Sequence, residues 1–161
     1  MIVLVGIDIT IEAGEWDEQP RLHEQARQAI EAAIAEVGVA LPKGTEVSVV
    51  FGNDAMVKEL NRDWRDKDKP TNVLSFAAND GLAPPDWSPL LGDIVLAQET
   101  IVREAKEQGK AVEAHLTHLI VHGFLHLLGY DHENDDEADT MEQIETRALA
   151  RLGIADPYQD T

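Results

Sequence analysis

Residues 118–132 run His118-Leu-Ile-Val-His122-Gly-Phe-Leu-His126-Leu-Leu-Gly129-Tyr-Asp-His132. They close the most hydrophobic helix of the chain, spanning about residues 111–128 and broken only by His115, His118, His122 and His126. Side chains four apart on a helix stack one turn above another, so His122 and His126 share a face. Gly129 can take the left-handed conformation that ends a helix and swings the chain back. His132 then returns toward the same point. The spacing predicts three imidazole nitrogens around one tetrahedral zinc ion (Zn2+), with a fourth position open for water.

Outward from this helix the pattern is α+β. Ile2 to Ile9 is apolar and β-branched, and reads as a strand. Leu22, Ala26, Ala29, Ile30, Ala33 and Val37 recur at helical spacing, and Gly38 stops that helix. Val47, Val49 and Phe51 mark a second strand, half-buried or central. Asn53 is placed to cap a helix whose apolar face is Met56, Val57, Leu60 and Trp64. Residues 65–72 are charged, end near Pro70 and read as a loop. Val73 to Ala77 is a third strand, Asn79 to Pro89 a Pro/Gly-rich excursion, and Gly92 to Ala97 a fourth strand. Helices follow near 98–108, 111–128 and 135–151, the last favoured by Asp135, Asp136 and Glu137 at its positive N-terminus. The order β-α-β-α-β-β-α-α-α predicts a mixed four-stranded sheet covered by about five helices. The zinc site falls at the end of the central histidine-rich helix. No repeat or linker divides the chain, so residues 1–161 are expected to form a single domain.

Charge narrows the partners. The chain has 161 residues, 43% of them hydrophobic, and a formal net charge of -18. Such a field opposes broad adhesion to nucleic acid or anionic lipid, so a polyanion must be held by a few concentrated cations or by the metal. Cysteine is absent, which excludes disulfides and thiolate zinc sites and is compatible with a reducing cytoplasm. The N-terminal stretch lacks the basic start of a signal peptide. No apolar run approaches the roughly 18 residues of a membrane span.

The frame His122, His126, Gly129, His132 also matches the metzincin peptidases, His-Glu-x-x-His-x-x-Gly-x-x-His. Where those enzymes carry the glutamate that deprotonates the metal-bound water, this chain has Gly123. A peptidase frame is present without its base. His115 and His118 continue the stripe, since about 100° per residue sets 115, 118, 122 and 126 nearly in line. They line a cleft floor on one reading and a solvated polar stripe on the other. Asp131 is either an orienting partner for a ligand imidazole or a plain turn residue. Met141 recurs with Ala138, Ile144, Ala148 and Leu152, which makes it core rather than a methionine turn.

The segment 118–132 closely resembles the signature of the YbeY family of bacterial endoribonucleases. The resemblance continues through Asp135-Asp-Glu-Ala138 and Met141-Glu142. Upstream it takes in Leu60-Asn61, Trp64-Arg65, Lys69-Pro-Thr-Asn72-Val-Leu-Ser-Phe76 and Leu91-Gly-Asp93-Ile-Val95, and it closes on Leu152-Gly-Ile154 and Pro157-Tyr158. Asn72 departs from a frequent aspartate, and Ala77 from a frequent proline. The resemblance implies that His122, His126 and His132 are the zinc ligands and that Arg65 is functionally important. It also implies maturation of the 3′ end of small-subunit (16S) ribosomal RNA and ribosome quality control, in the cytoplasm.

A guanidinium binds two phosphate oxygens in a fork, so Arg65 is expected to clamp the scissile phosphate of single-stranded RNA, with Lys67 and Lys69 giving weaker backbone contacts. Against this, the alternating signs of residues 62–69 describe an ordinary solvated loop. Asp93 is an outer partner of the site or a strand-edge carboxylate. Two other functions stay open: a metzincin-like zinc peptidase, and a non-catalytic ribosome assembly factor in which zinc is structural. Ribosome-associated proteins are further candidate partners; a membrane is not.

Overall fold

Four strands form one sheet in the order β1-β2-β4-β3. They are β1 (Gly6–Ile11), β2 (Glu46–Gly52), β3 (Val73–Ala77) and β4 (Leu90–Ala97). Around them lie α1 (Gln19–Val37), α2 (Asp54–Arg65), α3 (Gln98–Gln108), α4 (Val112–Leu127) and α5 (Asp135–Arg151). This computed structural model describes residues 5–14, 16, 18–38, 41, 44–65, 71–79, 88–130 and 134–158, with Arg65 described in its backbone. The expected element order and the α+β class with a mixed sheet are both found. The first strand spans Gly6–Ile11, two residues beyond its expected end at Ile9, and its expected start at Ile2 lies outside the described residues.

β1 and β2 are parallel, β2 and β4 are parallel, and β3 runs antiparallel to β4. The parallel pair β1–β2 needs a crossover, and α1 supplies it. Val47, Val49 and Phe51 of β2 are fully buried, as are Ile94 and Leu96 of β4. These residues face the main core, shared with Leu22 and Ile30 of α1, Phe124 of α4 and Leu149 of α5. The alternate residues Val95 and Ala97 point to the opposite face, where Val57 of α2 and Leu74 of β3 meet them. The sheet is therefore covered on both faces, which fits the nearly continuous apolar run of β4.

The apolar face expected of α2 is only partly realised. Asn53 does cap it, accepting the Met56 backbone N–H at 2.9 Å. Val57 is buried, but Trp64 is 73% exposed and touches Phe76 edge-on at 6.5 Å between ring centres. Trp64 sits on the last turn of α2, and its ring contact with Phe76 of β3 leaves most of it in solvent.

β4 carries a bulge. Leu90 pairs with Glu46 and Gly92 with Val47, so Leu91 is an extra residue. Gly92 has φ 138°, and a Cβ there would stand 2.0 Å from the Phe76 carbonyl oxygen. Only glycine lets β3 approach β4 at this point.

α4 is the central helix, packed against α1, α3, α5, β3 and β4. A helix apolar on nearly every side is stable only when surrounded in this way. Its own face toward the sheet is opened by Gly123. A Cβ there would lie 2.9 Å from Ile94 Cγ2 and 3.0 Å from Ser75 Oγ, and the Ser75 hydroxyl donates to the Gly123 carbonyl at 3.2 Å. Among the described residues no helix is long and apolar enough to cross a membrane.

Candidate metal centre

The histidine stripe of α4 faces α3 on one flank and α5 on the other. His122 and His126 lie one turn apart with ring centres at 4.6 Å, and their Nε2 atoms converge to 3.1 Å. Helix spacing brings them together, and the helix ends just beyond them. The Gly129 N–H donates to the His126 carbonyl and the Tyr130 N–H to the Leu125 carbonyl, both at 3.0 Å. Gly129 itself has φ 101°. That is the left-handed helix stop expected from the sequence, closed by a reversed pair of backbone bonds. His132 and Asp131, which follow it, lie outside the described residues, as do Lys67 and Lys69. Arg65 closes α2, and its side chain is likewise outside the described part.

Glu145 is one residue that sequence reasoning missed, and Glu104 another. Glu145 comes from the second half of α5, is fully buried, and lies under the histidines. Its Oε1 stands 2.6 Å from His122 Nδ1 and 3.2 Å from His118 Nε2, and its Oε2 accepts the Tyr158 hydroxyl at 2.5 Å. Burial pushes this carboxyl up, but the hydrogen bonds from His118 and His122 outweigh it and hold the group at about 2. An ionised carboxylate only accepts hydrogen bonds. The facing atoms are therefore N–H groups, His122 Nδ1–H and His118 Nε2–H. In neutral His122 the lone pair is then on Nε2, directed to the point shared with His126. Burial together with the Glu145 charge pushes the Tyr158 phenol well above its ordinary value, so it stays a donor.

The donor set fits a metal ion. Two nitrogens bound at 2.0–2.1 Å in tetrahedral geometry stand roughly 3.3 Å apart, close to the 3.1 Å found between His122 and His126. A carboxylate behind a ligand imidazole is the usual outer partner of such a site. Among the described residues no three metal-ligating side chains converge, and the expected third ligand, His132, is not one of them.

His115 and His118 are both buried, so the solvated-stripe reading of these residues is corrected. His115 Nε2 lies 2.9 Å from Glu104 Oε1, which also accepts the Asn72 amide at 3.0 Å. Burial pushes the His115 imidazole down, against the opposing pull of Glu104. Asn72, where the resembled family often has aspartate, thus meets Glu104 with an N–H donor rather than a second carboxylate. His118 and His122 line one cleft with His115. Asp93 is exposed on β4, opposite Ser48 and Phe76, and does not line that cleft. Met141 is buried in the main core, as its helical spacing predicts.

Gly123, read from the sequence as a missing base, is accounted for by packing. Its position faces Ile94 and Ser75 of the sheet. A glutamate at 123 would have to displace the β-branched Ile94.

Known proteins share this sequence and this fold. The family model described as Endoribonuclease YbeY matches residues 8–153. The Endoribonuclease YbeY of Rhizobium meliloti is 50% identical over 164 residues, covering 97% of this chain and 96% of that protein. That of Bartonella bacilliformis is 46% identical, covering 98% of this chain and 99% of its own length. The solution structure of TM1509 from Thermotoga maritima shares the fold, with a TM-score of 0.55 and 23% identity over 96% of this chain and 99% of its own.

Proposed function

The chain belongs to the YbeY endoribonuclease family, and from that premise we propose that it is a metal-dependent endoribonuclease acting on single-stranded RNA. Its substrate on this reading is ribosomal RNA of the small subunit, cut in maturation of the 3′ end and in ribosome quality control, in the cytoplasm. Residues 1–161 act as a single domain.

The observation that carries the proposal is the pair of Nε2 atoms at 3.1 Å, with His122 turned toward that point by Glu145. His122, His126 and His132 hold the metal. Three neutral imidazoles favour zinc. When bound, zinc supplies Lewis acidity, offsetting charge on the phosphate oxygens and lowering the pKa of an attacking oxygen. Glu145 keeps a proton on His122 Nδ1 throughout. Arg65 binds the non-bridging oxygens of the scissile phosphate from the end of α2 and holds it in place for attack.

Two alternatives lose support. A peptidase needs a general base after the first ligand, and position 123 is filled by the sheet. A structural zinc needs a fourth protein ligand. Of the two candidates, His118 gives its Nε2 to Glu145 and Tyr158 instead, and Asp131 lies outside the described residues.

The test is cleavage of single-stranded RNA by purified protein, with casein as control. His126→Ala should lose both metal and cleavage. Arg65→Ala should lose cleavage while metal content and circular dichroism stay as in the wild type. Wild-type turnover by Arg65→Ala would overturn the phosphate clamp, and cleavage of casein would restore the peptidase.

A further inference from the structure

Beside the histidines is a cleft of about 350 Å³, lined by Glu104, Lys110, His118, His122 and Tyr158 among others. It is in the lower part of the size range of small-molecule sites, roughly 300–1,000 Å³, so it takes one planar group and not a helix. We propose that this cleft binds one nucleobase of the RNA, stacked on Tyr158 and read at its edge by Glu104. The inference rests on the endoribonuclease reading for the identity of the polymer.

Tyr158 is built as a platform. The residue as a whole is 43% exposed and lines the cleft, yet its hydroxyl is tied to buried Glu145 at 2.5 Å. Its backbone N–H donates to Asp156 Oδ1 at 2.9 Å, and its ring meets His118 edge-on at 5.5 Å. Lys110 Nζ donates to the Pro157 carbonyl at 3.1 Å, fastening the preceding residue to the head of α4. An exposed aromatic face held at both ends gives a base a surface at little ordering cost. Single-stranded RNA is recognised chiefly through such stacking on splayed bases.

Glu104 selects the kind of group that fits. A carboxylate opposes a phosphate but accepts N–H donors, which the bases carry. One of its oxygens, Oε1, is occupied by His115 and Asn72. Those two bonds fix the carboxylate, and among the described residues nothing donates to Oε2. A fixed acceptor discriminates by the group opposite it. It accepts the exocyclic amino group of cytosine, as glutamate does at cytosine N4 in duplex recognition, and opposes the O4 carbonyl of uracil. Because His122 lines the same cleft, the base held there belongs to a nucleotide beside the scissile phosphate.

The test uses labelled decamers of cytidine and of uridine, 2′-O-methylated and with phosphorothioate linkages so that they survive the measurement. Fluorescence anisotropy gives their affinities. Wild-type protein should bind the cytidine decamer several-fold more tightly than the uridine decamer. Tyr158→Leu should weaken both roughly tenfold or more, as expected for loss of one stacked base, whereas Tyr158→Phe, which keeps the ring, should lose far less. Glu104→Gln keeps an acceptor for His115 and Asn72 and puts an N–H₂ donor in place of Oε2. It should reverse the preference toward uridine. Equal wild-type affinity for both decamers, or wild-type binding by Tyr158→Leu, would overturn the proposal. Cleavage of unmodified RNA is scored separately. Base-selective binding without cleavage would sink the enzyme reading and keep this one, and cleavage without base preference would do the reverse.

Discussion

Glu145 Oε1 stands 2.6 Å from His122 Nδ1, joining the buried face of α5 to the ring proposed as the first metal ligand. The carboxylate is buried and receives two further groups, His118 Nε2 and the Tyr158 hydroxyl. It thus sets which nitrogen of His122 bears the proton. Glu145→Gln retains the size but presents either an amide N–H or a weaker acceptor to the ring. Outer partners of this kind are worth roughly 10–100-fold in metal affinity. Chelator competition should show a zinc Kd raised by that factor, and an unchanged Kd would leave Glu145 as packing alone.

The same contact gives the metal-free protein a pH signature. Glu145 is held at about 2 when folded, below the ordinary carboxylate value of 4.5. Between those values the unfolded chain takes up a proton that the folded chain refuses. Stability contributed by the ionised group is therefore complete above about pH 4.5 and is lost as pH falls toward 2. Denaturant titrations of metal-free wild type and Glu145→Gln between pH 5.5 and 3 should converge as the pH drops. The gap is on the order of 3 kcal/mol at full ionisation, and a gap that stays constant would show that the carboxylate charge is not the cause.

What the sequence made legible follows from periodicity. The stripe 115–118–122–126 and the stop at Gly129 are local, since each needs only helical geometry. Glu145 is not. It lies among Met141, Ile144, Ala148 and Leu149, and a carboxylate on that apolar face was the one available signal. Its histidine partners are 23 and 27 residues away. The exposure of Trp64 was hidden for a similar reason, because apolar spacing cannot say how much of a side chain its tertiary neighbours cover. Gly123 shows the converse. Its identity was plain, but its meaning depended on Ile94 across a helix–sheet contact.

Gly123→Ala tests that contact. Alanine should favour the helix by about 1 kcal/mol on propensity. The added methyl, 2.9 Å from Ile94 Cγ2 and 3.0 Å from Ser75 Oγ, pushes the other way by about 1–3 kcal/mol. Denaturant unfolding should show net destabilisation, and Ile94→Ala in the same chain should recover part of it through non-additivity. A more stable Gly123→Ala protein would mean that the helix has slack over the sheet, and the packing account of the missing glutamate would fall.

Gly92 and Gly38 separate backbone strain from collision. Both have positive φ, 138° and 69°. A Cβ on Gly38 would meet nothing within 4 Å, whereas one on Gly92 would stand 2.0 Å from the Phe76 carbonyl oxygen. Gly38→Ala therefore carries only the left-handed penalty, about 1–2 kcal/mol. Gly92→Ala must also move β3 away from β4 or lose the bulge. The displaced oxygen belongs to backbone, so no rotamer change relieves it. Its destabilisation should exceed that of Gly38→Ala by at least about 2 kcal/mol, in the upper range of overpacking effects. Because β3 and β4 both pack against α4, the loss should reach the histidines. Zinc affinity should fall in Gly92→Ala and hold in Gly38→Ala. Equal effects on both measurements would show that the two strands yield freely, and that the bulge does not support the site.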